Sequence, residues 1–107
     1  MNAGRLKHPI TIISPQLEKN RFGEEKTVEK VKIRTRAEIR HDRGSRIVEN
    51  DEVVHAYDIT FIVWLYIKDV VEETDVIKYD RKLYRIEALE PVEETKILYI
   101  KASLINV

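Results

Sequence analysis

The stretch Lys30-Val31-Lys32-Ile33-Arg34-Thr35-Arg36-Ala37-Glu38-Ile39-Arg40 sorts its residues by parity. Odd positions carry Val31, Ile33, Thr35, Ala37 and Ile39, and even positions carry Lys30, Lys32, Arg34, Arg36, Glu38 and Arg40. A period of two marks a β-strand with one face in a core and the other in water; a helix would spread both sets around its circumference. Working outward, this strand is expected over about 28–41. Ahead of it, the polar run 16–26 contains Asn20-Arg21-Phe22-Gly23, a tight-turn signal. Earlier still, Ile10-Thr11-Ile12-Ile13 reads as a short strand bounded by Pro9 and Pro15.

Behind the ladder, residues 41–54 hold no sustained period. Asp42-Arg43-Gly44-Ser45 opens that segment like a turn, and the β-branched Ile47, Val48, Val53 and Val54 disfavour a long helix. It is expected to be a long excursion between strands. Residues 57–67 read as the strongest strand, rich in β-branched and aromatic side chains, with a second apolar face formed by Ile62, Trp64 and Tyr66. Segments 76–79 and 83–89 flank Asp80-Arg81-Lys82 as a hairpin, and 97–105 alternates again. The fold class expected is all-β: a small six-stranded antiparallel β-barrel with a long loop between the second and third strands, as one domain over 1–107.

Composition narrows the function. The 107 residues include 43% apolar and 36% charged side chains, the latter above the usual ~25%. Yet Lys+Arg and Asp+Glu both number 19, and a zero net charge argues against bulk capture of nucleic acid or of a membrane surface. The absence of cysteine removes disulfides, thiolate nucleophiles and cysteine metal sites. Met1 to Pro9 lacks the apolar run of a signal peptide, and the apolar stretch 59–67 is too short to cross a bilayer as a helix, so a soluble chain is expected. His8, His41 and His55 stand alone, without metal-ligand spacing. Gly4, Gly23 and Gly44 are too dispersed for a phosphate loop, and Ser14, Ser45 and Ser103 lack a nucleophile-elbow context. The acidic pairs Glu24-Glu25, Glu72-Glu73 and Glu93-Glu94 fall in expected connections, where solvated charge belongs. No catalytic residue, cofactor or metal ligand is therefore expected.

Two surfaces remain. The basic face of Lys30, Lys32, Arg34, Arg36 and Arg40 suits either phosphates or carboxylates, the latter from across the sheet (Glu87, for example) or from a neighbouring subunit. It lacks the interleaved aromatics on which single-strand binders stack bases. Ile62, Trp64 and Tyr66 either lie under a loop or form a contact patch for another chain.

Several segments, in order, resemble the phage head–tail adaptor or head-closure (stopper) family, the head-tail joining proteins of tailed phages. They are the lead Gly4-Arg5-Leu6-Lys7-His8-Pro9-Ile10-Thr11-Ile12, the turn Phe22-Gly23-Glu24, the strand end Arg36-Ala37-Glu38-Ile39, and the return His55-Ala56-Tyr57-Asp58-Ile59-Thr60-Phe61. The closing segment, Thr74 through the Asp80-Arg81-Lys82 turn to Ile86, resembles the family's final hairpin, with Arg81 where that hairpin has Gly; a different turn geometry is expected there. The resemblance implies a structural virion component at the portal–tail junction. It would form a homo-oligomeric ring between portal (connector) and tail proteins, close the DNA exit channel and dock the tail, while a single copy could stay monomeric. Assembly would take place in the bacterial host cytoplasm. The alternative is a small β-barrel nucleic-acid-binding protein using the Lys30–Arg40 face.

On this reading the channel-loop candidates are Arg43, Arg46, Ile47, Val48, Glu49, Asp51, Glu52, Val53 and Val54, and the subunit-contact candidates are Arg34, Arg36, Arg40, Ile62, Trp64 and Tyr66. The segment 41–54 extends to at most ~46 Å, so a doubled-back loop reaches about half that distance. With Arg43 and Arg46 set against Asp42, Glu49, Asp51 and Glu52, acids outnumber bases in 42–54. A ring of such loops would let DNA pass without specific binding.

Overall fold

The computed structural model describes residues 3–41, 46–49, 52–55 and 59–105. Its strands are β1 (His8–Lys19), β2 (Glu25–His41), β3 (Arg46–Glu49), β4 (Glu52–His55), β5 (Ile59–Trp64), β6 (Val76–Tyr79), β7 (Lys82–Val92) and β8 (Ile97–Leu104). Six of them form one antiparallel sheet in the order β1-β2-β5-β8-β7-β6, which curls until β6 bonds back to β1. That seam is short: it runs from Thr11↔Lys78 to Ile13↔Val76, whereas β1 and β2 pair from His8↔Ala37 to Lys19↔Glu25. β3 and β4 make a separate two-stranded sheet.

The expected six-stranded antiparallel β-barrel with a long loop between the second and third strands is therefore corrected. The sheet has six strands but is not a uniformly closed barrel, because β1 and β2 run on past the seam as a two-stranded arm. The expected loop contains the β3–β4 hairpin. The β-branched residues that disfavour a helix in 46–55 are also good strand formers, so a ladder satisfies backbone groups that a loop would leave to water.

The parity of β2 is realised where the sheet wraps around it. Ala37 is fully buried, and Ile33 and Ile39 pack against the core, but Val31 is 46% exposed where β2 departs into the arm. The core is filled by one face of each strand, with Ile10 and Ile12 of β1, Phe61 of β5, Ile77 of β6 and Leu98 and Ile100 of β8 all essentially buried. Phe61 meets Tyr84 and Tyr79 edge-to-face, with ring centroids 5.5 and 5.9 Å away. The expected strand at 57–67 ends early: β5 stops at Trp64, and a 3-10 turn, Leu65–Asp69, drops Ile67 into the core.

Candidate functional site

A bulge divides the basic ladder into two halves. Between Ile12↔Ile33 and Ile13↔Val31 the register shifts, leaving Lys32 as the extra residue on β2. Bulges re-aim side chains, and the Lys32 ammonium sits 2.7 Å from Asp75 Oδ2 while donating to the Val70 carbonyl at 3.1 Å. Asp75 is 1% exposed; its Oδ2 also accepts the Glu72 backbone N–H at 2.8 Å, which folds the connection leading into β6. Lys30 pairs with Glu18 at 3.5 Å across the arm. The first half of the ladder is thus neutralised within the chain.

The second half is not. Arg34 stands opposite Thr11 on β1, and Thr11 is opposite Lys78 on β6, so two cations flank one threonine across three strands. Arg36 lies opposite Pro9, and Arg81 sits at the β6–β7 turn. Together with Asp80 these side chains line a groove of about 440 Å³. Among the described residues none of the four cations has an ion pair. Like charges across a sheet repel, so an anionic partner would relieve this surface. Glu87, a suggested mate for the ladder, instead accepts from Arg85 at 3.0 Å. Arg40 is exposed opposite Thr60, away from the groove lining. Sequence reasoning missed Lys78 and Arg81, because only the distant β1–β6 pairing brings them beside β2.

Arg81 also departs from expectation in its backbone. The turn has two central residues, Asp80 with φ 50° and Arg81 with φ 64°. This is the left-handed geometry that favours glycine, not a different one.

The second apolar face is dispersed. Ile62 is 1% exposed and so is removed from the subunit-contact candidates. Trp64 is half-buried, and Tyr66, on the 3-10 turn rather than a strand, is 60% exposed. These two rings line a recess of about 410 Å³ with Leu65, Lys68, Asp69, Glu93 and Lys96. Of the channel-loop candidates, Arg46, Ile47, Val48 and Glu49 fall on β3, and Glu52, Val53 and Val54 on β4, with Ile47 opposite Val54 and Val48 opposite Val53. Arg43 and Asp51 lie outside the described residues. Among the described residues no cluster of His, Asp or Glu could hold a metal ion, and no helix is long and apolar enough to cross a membrane. His8 lies beside Tyr79, its Nδ1 3.4 Å from the phenol oxygen.

A family model for the phage head completion protein matches residues 1–105. The chain belongs to that family. It is accordingly a phage structural protein of virion assembly, related to head completion and consistent with a head–tail adaptor role. Among solved structures, the solution structure of protein SF1141 from Shigella flexneri 2a is similar, with a TM-score of 0.69 and 20% identity over 97% of this chain and 96% of that one. A chain in the virion of a native gene transfer agent particle is also similar, with a TM-score of 0.61 and 16% identity over 94% of this chain and 96% of that one. At these identities the likeness is one of fold. No curated protein matches.

Proposed function

We propose that this head completion protein forms a homo-oligomeric ring at the portal–tail junction, with the β3–β4 hairpin reaching into the channel to close the DNA exit. Portal proteins sit on one side of the ring and tail proteins on the other. The observation that carries the reading is the hairpin itself: a two-stranded ladder set apart from the main sheet, on a chain of a head completion family. Such a ribbon is marginally stable alone in water, which suits an element completed by its neighbours in a ring. Ile47, Val48, Val53 and Val54 supply apolar packing between copies, and the acidic excess of 42–54 keeps the lining from gripping phosphates. The fold shared with a chain of a gene transfer agent virion supports the setting.

Replacing Ile47, Val48, Val53 and Val54 together with Ser tests this. The variant is expected to keep the wild-type circular-dichroism spectrum and to yield particles that leak DNA, read by nuclease sensitivity of the packaged genome. Particles that hold their DNA would refute the gating role. The competing reading, nucleic-acid binding through the basic strand face, rests on the unpaired cations of the Arg34–Arg81 groove.

A further inference from the structure

The cations of the β1–β2–β6 groove share one face of the sheet. Arg34 and Arg36 lie two residues apart on β2, opposite Thr11 and Pro9, and Lys78 of β6 faces Thr11 from the other side. Directly opposed residues of a ladder point to the same face, as do residues two apart on one strand. Strand geometry places the backbone positions of Arg34 and Arg36 about 7 Å apart, and that of Lys78 about 10 Å from Arg34 across β1. Arg81, in the β6–β7 turn, closes one end of the groove and holds its place at φ 64°, where glycine would be less strained. All four cations are exposed, and among the described residues none makes an ion pair, with Asp80 of the same lining or with any other carboxylate. Four positive side chains against one carboxylate leave the groove cationic, in a chain whose acids and bases balance overall.

Anionic occupants differ in what else they bring. A nucleic-acid backbone offers phosphates but no hydrogen-bond donor for Asp80, and its bases need aromatic rings to stack on, of which the described lining holds none. Nor does a chain of zero net charge supply the general field that draws DNA to a surface. An acidic peptide brings carboxylates that arginine forks grip bidentately, and its backbone N–H groups can donate to Asp80. Along an extended peptide, residues on one side recur every ~7 Å, the spacing of Arg34 and Arg36. The chain's own strands offer no such segment, because within none of them do two carboxylates stand two residues apart.

We infer that the groove docks an extended acidic segment of a separate partner protein, its alternate carboxylates held by Arg34 and Arg36 and flanked by Lys78 and Arg81. No residue of the β3–β4 hairpin lines the groove, and its occupation does not depend on ring closure.

Isotopically labelled full-length protein is titrated, by nuclear magnetic resonance, with a synthetic peptide of alternating Glu and Ser. The same peptide with Gln for Glu, and random single-stranded and duplex DNA, are titrated in parallel. Saturable binding of the Glu peptide is expected, with amide shifts centred on Thr11, Arg34, Arg36, Lys78 and Arg81, and none with the Gln peptide. Arg34→Gln with Arg36→Gln is expected to weaken it by ~10-fold or more, and Lys68→Gln, outside the groove, to leave it unchanged. Arg81→Gly removes a groove cation while relieving the turn, so ~3-fold weaker binding in a chain of higher thermal midpoint is a loss of contact and not of folding. No saturable binding, shifts spread over every basic segment, or equal weakening by Lys68→Gln would overturn the site. Tighter binding of either DNA, lost in the Arg34 and Arg36 variant, would give the groove to phosphates and reject the peptide. Self-association of the wild type that this variant loses would make a second copy the occupant and reject the separate partner.

Discussion

Arg81 shows how one residue records a conflict between fold and surface. The β6–β7 turn places both Asp80 and Arg81 at positive φ, where an L side chain crowds its own backbone. Asp tolerates that region better than Arg does. Arg81→Gly is therefore expected to stabilise the chain by about 1 kcal/mol, seen in urea titration as a higher midpoint with an unchanged slope. The same change removes one cation from the Arg34–Lys78 groove. That an arginine occupies a position better suited to glycine fits a side chain kept for what it meets rather than for the turn it makes.

Between elements, the Lys32–Asp75 pair joins β2 to the connection before β6. Asp75 is 1% exposed and the Lys32 side chain 22%, so deleting the lysine leaves a carboxylate in a nearly water-free site. Lys32→Ala is expected to cost about 3 kcal/mol in urea denaturation, several times the cost of Lys30→Ala at the exposed pair with Glu18. Equal effects would mean that the bulge aims Lys32 to no purpose. Sequence patterning exposed β2 and the β6–β7 hairpin because their alternation is local. It missed most of β1, because Pro9 and Pro15 read as strand ends. In the fold both prolines flank the β6 seam, which uses only 11–13, so their missing N–H groups fall on an unpaired edge. Tyr66 was legible as apolar but not as displaced: parity continues to Ile67, while the backbone changes to a 3-10 turn after Trp64.

For the molecule as a whole, net charge conceals the distribution. Equal numbers of acids and bases predict weak attraction to DNA, yet Arg34, Arg36, Lys78 and Arg81, without an ion pair among the described residues, gather in one groove on the β1–β2–β6 surface. Fluorescence anisotropy with random duplex and single-stranded DNA at two salt concentrations measures which property governs. The adaptor reading expects no micromolar binding by the isolated monomer. Micromolar, steeply salt-dependent binding abolished by Arg34→Ala with Arg36→Ala would favour the nucleic-acid reading instead. The fold's general class was legible because period two recurs along the chain. The groove and the recess were not, since each joins residues that only the sheet order brings together.

His41 and Ile59, the last residue of β2 and the first of β5, face each other across the ladder. The β3–β4 hairpin hangs in sequence from a stem that the main sheet has already closed. Evolution can lengthen, shorten or rewrite that appendage without renegotiating the core, which, on the proposed ring reading, lets related phages fit the same body to channels of different bore.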